Sequence, residues 1–190
     1  MTQPEESKYR KLDARSLRGI AHPLRMQLLS ALRLHGPATA SRLAERLGES
    51  SGATSYHLRQ LATHGFVEDA PEQGKGRERW WRAVDQGLEF DSTQLADPDP
   101  AVRGAADVFL HEIATTHTRE LSTWLGTRED WQPTWSGATD MSDWTVRLTP
   151  ERTRELIGKI HELLESYEDE DAPGTERVRF HTHAFPIESE

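Results

Sequence analysis

The chain has 190 residues, is 35% apolar, and carries 23 Lys/Arg against 32 Asp/Glu for a net charge of −9. It contains no cysteine, which excludes disulfides, thiolate nucleophiles and sulfur-ligated metal sites such as zinc fingers. No run of about 18 apolar residues is present to span a bilayer, and the opening MTQPEESKYRK lacks a secretory h-region, so a cytoplasmic protein without membrane association is expected.

The charge is unevenly placed. Residues 1–85 hold 14 Lys/Arg against 10 Asp/Glu, a net +4, whereas residues 86–190 hold 9 against 22, a net −13. That asymmetry fits a basic end that meets phosphates joined to an acidic body that does not; the alternative is an ordinary acidic surface with chance clustering.

Residues 1–12 are polar and read as a flexible N-terminus. From there the period is helical: Leu17, Ile20 and Ala21, then Pro23 at a first helical position with Leu24, Leu28, Leu29 and Leu32 on one stripe, ended by Gly36-Pro37. Thr39 caps a short helix with Leu43, Ala44 and Leu47 inward and Gly48 as its stop. Ser50 caps the next helix, SSGATSYHLRQLATHGFV, in which Thr54, Leu58 and Leu61 form the core face and Gly65 closes the element. FVEDAP and RERWWRAV, joined by EQGKG, read as a β-hairpin with Lys75 at its tip and Arg77, Arg79 and Arg82 along the second strand. Together these make a winged helix-turn-helix over residues 13–85, followed by a linker at 86–97.

The remainder, 98–190, reads as a dimerisation and effector domain. A helix starts at Asp97-Pro98 or Asp99-Pro100 and runs to Gly126, with Val102, Ala106, Phe109, Leu110, Ile113, Ala114, Leu121 and Trp124 as its apolar positions. DWTVRLTP gives a strand leading to a helix capped by Thr149, with Leu156, Ile160, Leu163, Leu164 and Tyr167 inward. ERVRFHTHAFPI gives a final strand. The fold class is therefore mostly α with small β parts (α+β): a winged helix-turn-helix, a long helix and a small strand-helix-strand C-terminal domain.

With Thr54, Leu58 and Leu61 inward, Ser51, Gly52, Ser55, Tyr56 and Arg59 project outward from the N-terminal end of their helix. A solvated face would more usually hold Glu and Lys; these groups instead suit a major groove. Ser hydroxyls bond phosphates or bases, Gly lets the backbone approach, and Arg59 either forks onto guanine or pairs with a phosphate. Lys75, Arg77 and Arg79 on the hairpin suit flanking backbone or minor-groove contact.

The run HPLRMQLLSALRLHGPATASRLAERLGESSGATSYHLRQLATHGFV, with the wing RERWWRA, resembles the DNA-binding core of the arsenical-resistance-repressor (ArsR) family over roughly residues 14–84. The resemblance implies a homodimer on operator DNA, acting as a repressor, with Ser51, Gly52, Ser55, Tyr56 and Arg59 on the recognition face and His57 as a structural residue. It also implies that the long helix pairs with its mate, burying Phe109, Leu110, Ile113 and Trp124. Cysteine-based metal sensing is excluded. Asp107, His111, His117 and Glu120 do not reproduce the family's C-terminal zinc spacing, since Asp107 and His111 are four apart rather than two, so no metal and no other cofactor is expected.

Trp124, Trp131, Trp135 and Trp144 either line a small-molecule effector pocket or, as is better supported, fill the C-terminal core. No nucleophile elbow, P-loop, H-E-x-x-H or dinucleotide fingerprint is present, and an enzyme is not expected. The expectation is a sequence-specific regulator of near-palindromic double-stranded DNA; the alternative is a winged-helix protein-interaction module.

Overall fold

The computed structural model describes residues 9–73, 78–85, 87–131, 135 and 137–188. The chain divides into two bodies, Met1–Leu121 and Ser122–Glu190.

The first body is built on four short helices. Asp13 caps α1 (Ala14–Ile20) in a reciprocal box with Ser16: the Asp13 carboxylate accepts from the Ser16 amide at 2.7 Å and the Ser16 hydroxyl accepts from the Asp13 amide at 2.9 Å. These bonds hold the Asp13 carboxyl below its usual range, the Ser16 side chain first. His22 then caps α2 (Pro23–His35) through Nδ1, which accepts from the Leu24 amide at 3.2 Å, and Pro23 supplies the preset first turn. The expected break at His22-Pro23 is thus the α1–α2 junction.

Thr39 caps α3 (Ala40–Leu47), and Ser50 caps α4 (Ser51–Thr63) by accepting from the Ala53 amide at 3.2 Å. Between them Gly48 adopts φ 68°, ψ 30°, the left-handed conformation that ends α3 and sets the tight turn.

Two small sheets complete the body. β2 (Ala38–Thr39), β4 (Trp80–Ala83) and β3 (Val67–Asp69) form an antiparallel sheet in the order β2-β4-β3, with Val67 opposite Ala83 and Asp69 opposite Trp81. The hairpin read from the sequence is β3–β4. β1 (Tyr9–Lys11) pairs in parallel with β5 (Gly87–Glu89), Tyr9 opposite Gly87. The terminus expected to be flexible to residue 12 is therefore a strand from Tyr9, and Leu12 is buried. The linker expected at 86–97 contains β5 and a 3-10 turn at Ser92–Ala96, whose buried Gln94 side chain donates to the Leu12 carbonyl. Arg33 from α2 donates through Nε to the Asp85 carbonyl at 2.8 Å, tying the same segment to the helices.

The core joins Leu17, Ile20, Leu28, Leu58, Leu61, Phe66 and Trp81, and extends to Val102, Ala106 and Phe109 on α5 (Pro100–Thr127). Phe109 stacks on Phe90 with ring centroids 5.6 Å apart. Its assignment to a dimer surface is corrected: Phe109 belongs to this chain's own core, with Leu110 and Ile113 packed partly against it.

In the second body, Thr149 and Pro150 open α6 (Pro150–Glu165) as the sequence implies. The rest of that expectation is corrected. No strand occurs among the described residues of 122–188, so no strand-helix-strand unit forms, and no described side chain there is buried. Leu156, Ile160, Leu163 and Tyr167 are exposed rather than inward, and none of Trp124, Trp131, Trp135 and Trp144 is buried. The apolar alternation is present in both segments, but alternation makes a strand only when a neighbouring strand accepts its ladder and a second layer covers its apolar face.

Candidate nucleic-acid interface

The outward face of α4 starts from its inward one. Thr54, Leu58 and Leu61 are buried at spacings of four and three, which fixes the helix's rotation. Ser51, Gly52, Tyr56 and Arg59 are then exposed and Ser55 half-buried. The first turn of α4 holds no acidic residue, so its partial positive charge is uncancelled within the helix.

Beside this face lies a cleft of about 210 Å³ lined by Thr39, Ala40 and Ser41 from the start of α3, Ser55 and Arg59 from α4, and Glu78, Arg79 and Trp81 from the second strand region. Three of the residues singled out from sequence, Ser55, Arg59 and Arg79, thus share one cleft. Ser51, Gly52 and Tyr56 lie on the same helix without lining it. Lys75 and Arg77 lie outside the described residues.

The stem of the wing carries no surplus positive charge: two arginines face three carboxylates. Arg79 binds Asp69 through both Nε and Nη2, the second bond measuring 2.8 Å, and its guanidinium lies 4.0 Å from the Trp81 ring centroid. The Arg79 fork holds the Asp69 carboxyl below the usual carboxylate range. Arg82 bridges Glu68 and Glu72, each at 2.7 Å. Arg42 of α3 rests over Trp80, 4.8 Å from its ring centroid, so both tryptophans of the wing carry an arginine. Beyond the cap at Thr39, no local pattern points to Thr39, Ala40 and Ser41, nor to the acidic partners across the hairpin.

His57 is a packing residue. Its ring lies 4.3 Å from that of His22 at 39°, and Tyr56 meets it edge-on at 5.1 Å. Burial, then the neighbouring His22 and Arg25, push the His57 imidazole below its ordinary pKa. Burial, then Arg25, lowers the His22 pKa as well, in keeping with His22 Nδ1 accepting the α2 cap bond.

Two helices joined by a tight turn, the second with an acid-free polar face, followed by a two-stranded wing, define a winged helix-turn-helix, the architecture carried by DNA-binding regulators. Residues 20–70, a little over a quarter of the chain, match the family model described as a helix-turn-helix domain.

No curated protein matches the chain. Among solved structures it is similar to the homodimeric winged helix-turn-helix DNA-binding domain (fragment 1–100) of Mb0332 from Mycobacterium bovis, a possible ArsR-family transcriptional regulator. That similarity has 20% identity over 56% of this chain and 82% of that one, with a TM-score of 0.36. RV1404 from Mycobacterium tuberculosis has 15% identity over 82% of both chains and a TM-score of 0.32. Transcriptional regulator Tm0710 from Thermotoga maritima has 15% identity over 76% of this chain and 79% of that one, with a TM-score of 0.31. The fold assignment stands on the chain's own elements and the domain match. No helix among the described residues is long and apolar enough to cross a membrane.

Proposed function

We propose that this chain is a sequence-specific transcription regulator acting in the cytoplasm as a homodimeric repressor on a near-palindromic operator. α4 enters the major groove, where Ser51, Gly52, Ser55 and Tyr56 approach the backbone and base edges and Arg59 supplies the directional contact. Arg79, with Lys75 and Arg77, flanks the site at the wing. The two copies meet along the exposed positions of α5, among them Val108 and Leu121. The observation that carries this reading is the acid-free face of α4 opening, through Ser55 and Arg59, into the cleft beside the wing.

The test is selection of duplexes from a genomic library, followed by binding at several salt concentrations. Arg59→Ala should weaken operator binding by about 1–3 kcal/mol, roughly ten- to a hundredfold, with an unchanged circular dichroism spectrum. Absence of salt-dependent binding to any duplex would sink the proposal.

A further inference from the structure

The positive charges around the reading helix are not alike. On the wing, Arg79 is neutralised by Asp69, and Arg82 by Glu68 and Glu72. Arg25 on α2 is different: no carboxylate pairs with it among the described residues, and its Nε is buried without an acceptor.

The position of Arg25 opposes a cation in three ways. It stands in the first turn of α2, at the positive end of the helix dipole, where an acid would be stabilising and none is present. Its side chain is half-buried, and burial disfavours the charged guanidinium. The rings of His22, His57 and His64, all close enough to feel its charge, offer it no negative group. A partly desolvated charge without a partner costs stability, and nothing described within the chain repays that cost.

The neighbours of Arg25 indicate what completes it. Tyr56, 53% exposed on the outward face of α4, is the side chain that favours the Arg25 charge. It does not line the cleft beside the wing, which takes Ser55 and Arg59 from α4. One residue of helix, a rotation of about 100°, separates Ser55 from Tyr56. The outward face of α4 is thus flanked by the wing cleft on one side and by Tyr56 with Arg25 on the other. A helix lying in a major groove likewise has a phosphate ridge along each side.

We propose that Arg25 is a DNA contact: its guanidinium takes a backbone phosphate on the ridge away from the wing, so that the recognition helix is held from both sides. The proposal rests on the reading of α4 as the groove helix and adds to it a residue of α2, outside the recognition face. A phosphate supplies the anion that the fold withholds, and a guanidinium already partly out of water gains more from it than a solvated one.

The test measures binding of the full chain to an operator selected from a genomic library and to an unrelated duplex of equal length, between about 50 and 200 mM salt. Wild type, Arg25→Gln, Arg25→Met and Arg25→Lys are compared, with urea unfolding of each. Gln and Met are both neutral, and Met keeps an apolar stem where an amide is poorly accommodated. Both neutral variants should bind both duplexes more weakly, with a log–log salt slope shallower by about one, so that the deficit against wild type shrinks about three- to fourfold across that range. Arg25→Lys, which returns a point charge, should restore the slope. Urea midpoints of the neutral variants should equal or exceed that of wild type, because an unpaired charge has been removed. Unchanged slopes in both neutral variants overturn the proposal and leave the operator reading intact. A loss confined to the operator also overturns it, since a phosphate contact is indifferent to sequence. Neutral variants that unfold, or that lose stability and keep the slope, assign Arg25 to packing instead. A wild-type chain that binds neither duplex defeats the operator reading and this proposal with it.

Discussion

At the scale of single residues, two contacts decide how the recognition helix sits. Gly19 on α1 lies against His64 at the end of α4, and a Cβ at that glycine would fall 2.4 Å from the imidazole Cγ. Gly19→Ala must therefore displace α1 or the α4 terminus, at a cost of about 1–3 kcal/mol in urea unfolding, and Gly19→Ala/His64→Ala should recover part of the loss by clearing the space. The second contact is the histidine cluster. Burial is the first cause that lowers the His22, His57 and His64 pKa values, with Arg25 adding to each and Glu49 and Asp13 opposing weakly at His57 and His64. All three are depressed in the fold, so the unfolded chain takes up protons first. Stability should be level above the ordinary value of 6.5 and fall as pH drops below it. Urea midpoints measured down a pH series should show this decline, and His57→Gln should make it shallower. A flat profile would mean that the three rings are solvated.

At the scale of elements, the wing differs from the basic arm that its arginines suggest. Arg79 is committed to Asp69 and Arg82 to Glu68 and Glu72, leaving the described part of the hairpin without surplus positive charge. Asp69→Asn removes a full charge from that balance and releases the Arg79 fork. The expected outcome is tighter binding to any duplex at low salt, a log–log salt slope steeper by about one, and little change in unfolding, since the pair is exposed. An unchanged slope would place Arg79 away from the phosphates. These acidic partners are hard to read because pairing across a hairpin depends on register, which the composition of the two strands alone leaves open. The helices were readable for the opposite reason. Asp13 apart, their caps at Thr39, Ser50 and Thr149 and their stops at Gly48 and Gly65 are local chemistry, complete within four residues of chain.

At the scale of the whole molecule, readability followed how far each interaction reaches. The outward set on α4 was available because Thr54, Leu58 and Leu61 fix a rotation by themselves. The cleft that gathers Ser55, Arg59 and Arg79 was not, since it needs α3, α4 and β4 together. Phe109 was assigned to a partner surface because its helical stripe cannot reveal that Phe90, outside α5, already covers it. The strand-helix-strand expectation for the C-terminal body failed at the same limit: Val178 and Phe180 carry the right alternation, but a pattern does not supply the layer that would cover them.

The parallel pairing of Tyr9–Lys11 with Gly87–Glu89 acts as a clasp between chain positions about eighty residues apart. On a ribosome α1 to α4 emerge first and can form their local contacts, yet Leu12 has no strand to bond until Glu89 has cleared the exit tunnel. Birth of the winged body is therefore gated by the arrival of a three-residue strand that contributes nothing to the reading face, and a nascent chain halted just short of it would present a recognition helix on an unlatched frame.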